Sequence, residues 1–149
     1  MPTVYLGLGS NLGDKEKYIR QALALITERV GENLTLSRFY ETQPWGYDST
    51  ASYLNIAVGV ETVLTPFDLL VITQEIEKTV GRCHKTINGQ YQDREIDIDI
   101  LLYDDLIIET PTLTIPHPLM HQRPFVLQPL AEIAPHVIHP VLQKKIAVI

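Results

Sequence analysis

The sequence predicts an α+β sandwich in one domain, residues 1–149, with two helices covering one face of an antiparallel sheet. Three observations carry this expectation. Two stretches repeat apolar residues at helical spacing, each opened by a capping residue and closed by a glycine. Strand-like alternation of apolar residues recurs near residues 4–9, 53–60 and 96–100. The succession along the chain is β-α-β-β-α-β, which is the ferredoxin-like order.

Val4, Leu6 and Leu8 alternate with Tyr5, Gly7 and Gly9, a short strand. The segment Gly7-Leu8-Gly9-Ser10-Asn11-Leu12-Gly13 has its third glycine one position too late for a dinucleotide fingerprint, and a P-loop would need Gly-Lys-Ser/Thr. It reads instead as a tight strand-to-helix turn, with Ser10 and Asn11 bonding exposed backbone. Asp14 caps a helix from Lys15, whose stripe is Tyr18/Ile19, Ala22/Leu23, Ile26 and Val30 before Gly31. A second strand runs from about Leu34 to Thr42. In the third, Leu54, Ile56, Val58 and Val60 face one way while Tyr53, Asn55, Ala57 and Gly59 face the other. Thr65-Pro66-Phe67-Asp68 starts the second helix, with Leu69, Ile72, Ile76 and Val80 as its stripe and Gly81 at its end. A strand follows from Ile96 to Tyr103. Short strands or turns are expected near Thr112–Ile115 and Phe125–Leu127, and the sheet face away from the two helices is left for a ligand or partner.

The composition is 45% hydrophobic and 20% charged, and the formal charge is −6. That balance excludes a molecule drawn as a whole to nucleic acid or an anionic membrane, so an anionic ligand must be held by a local positive cluster. The single cysteine, Cys83, excludes an intramolecular disulfide and suits a reducing compartment. No leader-like start or membrane-length apolar run is present, so a soluble, cytoplasmic protein is expected.

Arg94-Glu95-Ile96-Asp97-Ile98-Asp99-Ile100 is the strongest local signal. Residues two apart on a strand share a face, so Asp97 and Asp99 project together while the isoleucines face the core. Paired carboxylates repel unless a cation joins them, and magnesium suits hard oxygen donors shared with substrate phosphates. The plainer alternative is an edge strand carrying solubilising charge. Just before it, the loop from Arg82 gathers Lys85, Arg94 and His84, a set able to meet a triphosphate. Trp45 and Tyr47 lie in a loop from Gln43 to Ser52, where they either pack over a sheet edge or form a lid on a planar ligand. His117, held between Pro116 and Pro118, stands close to Arg123 and Phe125; His121, His136 and His139 read as surface or structural.

Together these segments, with Phe39-Tyr40-Glu41-Thr42, Tyr53-Leu54-Asn55, Gln74-Glu75-Ile76-Glu77, Pro116-His117 and Arg123-Pro124-Phe125-Val126-Leu127, resemble the 6-hydroxymethyl-7,8-dihydropterin pyrophosphokinases of the folate pathway. The resemblance implies a ferredoxin-like fold and transfer of diphosphate from ATP to the pterin hydroxymethyl group, with release of AMP. It makes Asp97 and Asp99 the ligands of two Mg2+ ions and places Gln74, Glu77, Arg82, Arg94, Ile100, His117 and Arg123 around ATP; Lys85, by its charge in the same basic loop, is expected to join them. Thr42, Tyr53 and Asn55 would meet the pterin, and Phe125 and Tyr91 would stack on it; Trp45, which replaces a smaller residue more typical of the family, is expected to meet it from the loop Gln43 to Ser52. Arg82, Arg94, Asp97 and Asp99 would carry the catalysis. The partners implied are these two small molecules, with no nucleic acid and no membrane, acting on a monomer. A small-molecule-sensing regulatory domain and a two-metal phosphatase or nuclease are the rival readings.

Overall fold

The computed structural model describes residues 1–11, 13–42, 52–81 and 96–149. Its centre is an antiparallel sheet of β1 (Thr3–Ser10), β2 (Leu34–Leu36), β3 (Tyr40–Thr42), β4 (Tyr53–Glu61) and β5 (Asp97–Tyr103). β1 lies between β4 and β5, while β2 and β3 both pair with the outer side of β4. β6 (Ile108–Glu109) and β7 (Thr114–Ile115) form a separate hairpin. The helices are α1 (Lys15–Arg29), α2 (Pro66–Gly81) and α3 (Pro124–Ile133).

The expected helix signals operate as chemistry requires. The Asp14 side chain accepts the Lys17 N–H at 3.2 Å, and the Thr65 hydroxyl accepts that of Asp68, also at 3.2 Å, so each satisfies an otherwise orphaned donor. Ile19, Ala22 and Ile26 of α1 and Leu69, Ile76 and Val80 of α2 meet Val4, Leu6, Leu8, Ile56 and Val58 in the main core. Gly31 serves a purpose beyond helix termination: a Cβ there would lie 2.1 Å from the Glu61 carbonyl oxygen, so the chain leaving α1 passes the end of β4 only as glycine.

Three expectations are corrected. The strand expected over Leu34–Thr42 is divided into β2 and β3. Leu36 faces Val58 and Tyr40 faces Asn55, so four steps along one strand answer three along the other, a one-residue bulge. Ser37 fills the gap, donating its N–H to the Ala57 carbonyl at 3.0 Å and accepting the Ala57 N–H on its hydroxyl at 2.9 Å. Since facing residues share a side of the sheet, this shift turns Tyr40 and Thr42 away from α1 and onto the opposite face.

Gly7 and Gly9 lie in β1 as the alternation predicts, and the strand continues to Ser10 before the turn. Phe125–Leu127 is helical rather than a strand or turn. Pro124 sits at the first helical position, where its missing N–H costs nothing, and α3 then aligns Val126, Leu127, Leu130 and Ala131 against the sheet. Pro129 gives up one helical hydrogen bond within it. α3 and the C-terminal turn at Ile146–Val148 cover part of the face that was expected to stay open, building a second core from Ala57, Leu101, Leu102, Met120, Leu130, Ala134 and Ile146. His139 is structural there: it is buried, and its Nδ1 accepts the Val141 and Leu142 N–H groups at 3.2 and 3.1 Å.

Candidate active site

The uncovered part of that second face holds the candidate site. Across the sheet, Gly9 faces Asn55 of β4 on one side and Asp97 of β5 on the other; Gly7 likewise faces Ala57 and Asp99. With strands about 4.8 Å apart, Asn55 and Asp97 stand about 10 Å from each other across a strand that raises no side chain between them. The result is a flat floor bordered by an amide on one side and two carboxylates on the other. A Cβ on Gly9 would meet the Asn55 Oδ1 at 2.8 Å. Gly9→Ala is therefore expected to displace the Asn55 amide and weaken the ligand on this floor several-fold, with the thermal midpoint little changed, because the clashing atom ends a movable side chain. Paired titrations of ligand and heat denaturation check this.

The third wall is anchored by a second bulge. Tyr5 faces Leu102 but Leu6 faces Ile100, so Leu101 is the extra residue of β5. Its carbonyl accepts the His117 N–H at 3.0 Å, which docks the segment carrying that histidine beside the aspartates. On the ring, Nδ1 accepts the Leu119 N–H at 3.3 Å, so in the neutral form the proton sits on Nε2, 3.9 Å from the Asp99 Oδ1. Burial first, and the Arg123 charge second, hold the imidazole below its usual range against an opposing pull from Asp97. His117 is thus a neutral donor at pH 7.

From the start of α3 come Arg123, buried, and Phe125, whose ring centre lies 5.8 Å from the guanidinium carbon. The cleft so enclosed measures ≈ 270 Å³ and is lined by Gly7, Gly9, Tyr53, Asn55, Asp97, Asp99, His117, Leu119, Arg123, Phe125 and Val126, among others. A second cleft, lined by Leu70, Ile98, Ile100, Thr110 to Thr114 and Pro118, meets the first at Asp99 and His117, which border both.

Of the expected site residues, the structure brings Tyr53, Asn55, Asp97, Asp99, His117, Arg123 and Phe125 to one cleft and Ile100 to the other. Thr42 stands behind Asn55, accepting its Nδ2 at 3.3 Å. Glu77 is turned to the protein itself: its Oε2 accepts the Ile98 N–H at 2.7 Å, tying α2 to β5 between the two aspartates. Gln74 is exposed on α2 and lines neither cleft. Trp45, Arg82, Lys85, Tyr91 and Arg94 lie outside the described residues, as do the loops that contain them. Sequence reasoning missed Gly7, Gly9, Leu119 and Val126. The signal for the glycines was present, since two glycines on one face of a strand leave a smooth surface.

Chemically the cleft is divided. Its acidic border offers hard oxygen donors, and among the described residues no group of three or more His, Cys, Asp and Glu gathers to close a metal site. A pair of carboxylates with open positions suits a cation whose remaining ligands are water and phosphate. Arg123 and the Nε2–H of His117 provide donors for anionic oxygens beside it. The apolar floor and Phe125 accept a flat ring, and Asn55 accepts a polar ring edge.

Residues 5–135 match the family model described as 7,8-dihydro-6-hydroxymethylpterin-pyrophosphokinase. A 2-amino-4-hydroxy-6-hydroxymethyldihydropteridine pyrophosphokinase of Porphyromonas gingivalis is 50% identical over 141 residues, covering 94% of this chain and 95% of the relative. The Bacillus subtilis protein of the same name is 48% identical over 134 residues, 89% of this chain and 78% of that one. The chain belongs to the 7,8-dihydro-6-hydroxymethylpterin-pyrophosphokinase family. Among solved structures, the wild-type HPPK-DHPS of Plasmodium falciparum with SDX-DHP has a TM-score of 0.75 at 18% identity. It matches over 99% of this chain and 43% of that longer one, a likeness of fold.

Proposed function

We propose that this chain transfers the diphosphate of ATP to the hydroxymethyl group of 6-hydroxymethyl-7,8-dihydropterin, releasing AMP, in folate biosynthesis. Family membership supports the reaction, and neither the sensor nor the nuclease and phosphatase readings has support among the relatives. One observation carries the assignment to this site: two clefts, one floored for a flat ring and one lined by Leu70, Ile98 and Ile100, meet at Asp99 and His117. The pterin takes the first, the adenosine the second, and the triphosphate crosses the junction. The strand order β2/β3–β4–β1–β5, all antiparallel, supports the ferredoxin-like description.

Asp97 and Asp99 hold Mg2+, two ions by the family resemblance, and bound magnesium neutralises charge on the phosphates. The chain's own residues do the rest. Asn55, supported by Thr42, reads the pterin edge, and Phe125 stacks on its face. The β1 glycines let the ring lie against backbone, which excludes water from the acceptor hydroxyl. Arg123 binds phosphate oxygens, and His117 donates its Nε2–H to another, placing the β-phosphorus before the hydroxymethyl oxygen. A bond forms between that oxygen and the β-phosphorus as the hydroxyl gives up its proton, ultimately to solvent. The bond from the β-phosphorus to the α,β-bridging oxygen breaks, and AMP leaves with that oxygen. Arg82, Lys85 and Arg94 are assigned to the triphosphate, Arg82 and Arg94 among the catalytic groups, and Trp45 and Tyr91 to the pterin.

We place the enzyme in the cytoplasm as a monomer. No described helix is long and apolar enough to cross a membrane. The purified protein, given ATP, magnesium and the pterin, is expected to release one AMP per pterin diphosphate and none without the pterin. Formation of ADP in place of AMP would overturn the assignment.

A further inference from the structure

We propose that Tyr40 and Glu132 are positioning residues for the pterin, setting the gap between the Phe125 wall and the Asn55 wall of the cleft. The proposal rests on the function given above. Those two walls belong to different elements, α3 and β4, and nothing covalent near the cleft fixes their separation. A ring held by stacking on one wall and by hydrogen bonds on the other depends on that separation to a fraction of an ångström.

The structure supplies a tie across it. Glu132 lies about two turns after Phe125 on α3. Its Oε1 accepts the Tyr40 hydroxyl at 2.6 Å and the Arg38 Nε at 3.1 Å, while its Oε2 accepts the Arg38 backbone N–H at 3.0 Å. Tyr40 is the direct cross-strand neighbour of Asn55, and Thr42, two residues on, is the partner of the Asn55 amide. A single carboxylate therefore joins the helix that presents the stacking ring to the three-residue strand that braces the amide. The one-residue bulge explains why this is possible, since without it Tyr40 would point to α1. Tyr40 as largest cause and Arg38 as a further one hold the Glu132 carboxyl below its usual range, so it is ionised wherever the enzyme works. The ion pair with Arg38 is exposed and weak in itself; the information lies in the geometry of the shared acceptor.

The second cleft provides the internal control. None of its lining residues belongs to α3 or β3, so loosening this tie leaves the adenosine wall alone; Arg123, which meets phosphate, sits at the end of α3 away from Glu132, with its N–H held by the Met120 carbonyl at 3.2 Å. Tyr40→Phe removes only the hydroxyl, and Glu132→Ala removes the acceptor. Each is expected to raise the KM for the pterin and its calorimetric Kd about five- to tenfold, with kcat and the ATP KM within about twofold. The double variant should be no worse than the larger single one, because both break the same link. Glu132→Gln keeps an oxygen for the tyrosine and should restore most of the pterin affinity. A pterin Kd within twofold of wild type in Tyr40→Phe overturns the proposal. So do pterin and ATP affinities that fall together with the thermal midpoint, which would mean a general loosening. A wild-type protein that releases no AMP would instead sink the functional reading itself, a separate outcome of the same assay.

Discussion

Asp99→Ala is expected to lose on the order of a hundredfold or more in turnover while folding normally, and Asp97→Ala to do the same. Both side chains stand on the ligand face of β5, opposite Gly7 and Gly9, and neither belongs to either hydrophobic core. The fold therefore does not need them. Two carboxylates held side by side repel, so removing one relieves a cost that the folded state bears when no cation is present. The melting midpoint in metal-free buffer should accordingly stay level or rise slightly, and the stabilisation wild type gains from added magnesium should shrink in both variants. Turnover at saturating magnesium, measured beside melting with and without the ion, checks each arm. Turnover near that of wild type in either variant would remove the carboxylate pair from the mechanism.

Asn55→Ala is expected to weaken the pterin by about 1–3 kcal/mol, or roughly five- to 150-fold, through polar ring groups left without partners in a partly enclosed site. The side chain is buried and bonded to Thr42, so it has a defined orientation before the ligand arrives. ATP affinity measured alone should not move, since Asn55 borders only the first cleft. Calorimetry with each ligand separately decides the matter; an equal loss for both would identify a folding defect.

What the sequence made legible was what obeys a fixed period. The shared side of Asp97 and Asp99 followed from the strand repeat of two, and the buried faces of α1 and α2 from the helical repeat. Both survive intact because nothing interrupts the period inside those stretches. The bulges at Ser37–Phe39 and Leu101 were invisible for the converse reason: one added residue resets the alternation without any residue type that announces it. With the first went the side to which Thr42 points, and with the second the docking of His117. α3 was missed because Phe125 to Leu127 was read as a short strand or turn, although Pro124 just before it opens a helix. The glycine floor was missed because Gly7 and Gly9 were placed on the strand only as the partners of its apolar residues, while two bare positions on one face also leave a flat surface.

The same two irregular borders bear on how the protein behaves among its neighbours. A sheet with a straight outer strand offers a ladder of backbone groups that any passing extended segment can join. Here one border is cut into β2 and β3, three residues each, with Arg38 drawn out of line between them. The other is β5, where α2 has already placed the Glu77 carboxylate on the Ile98 N–H and β7 lies alongside. The strand that carries the paired aspartates is thus withheld from foreign strands by the contact that occupies its outward N–H. Crowding and slow folding, which recruit exposed ladders into fibrils, find little purchase on this sheet.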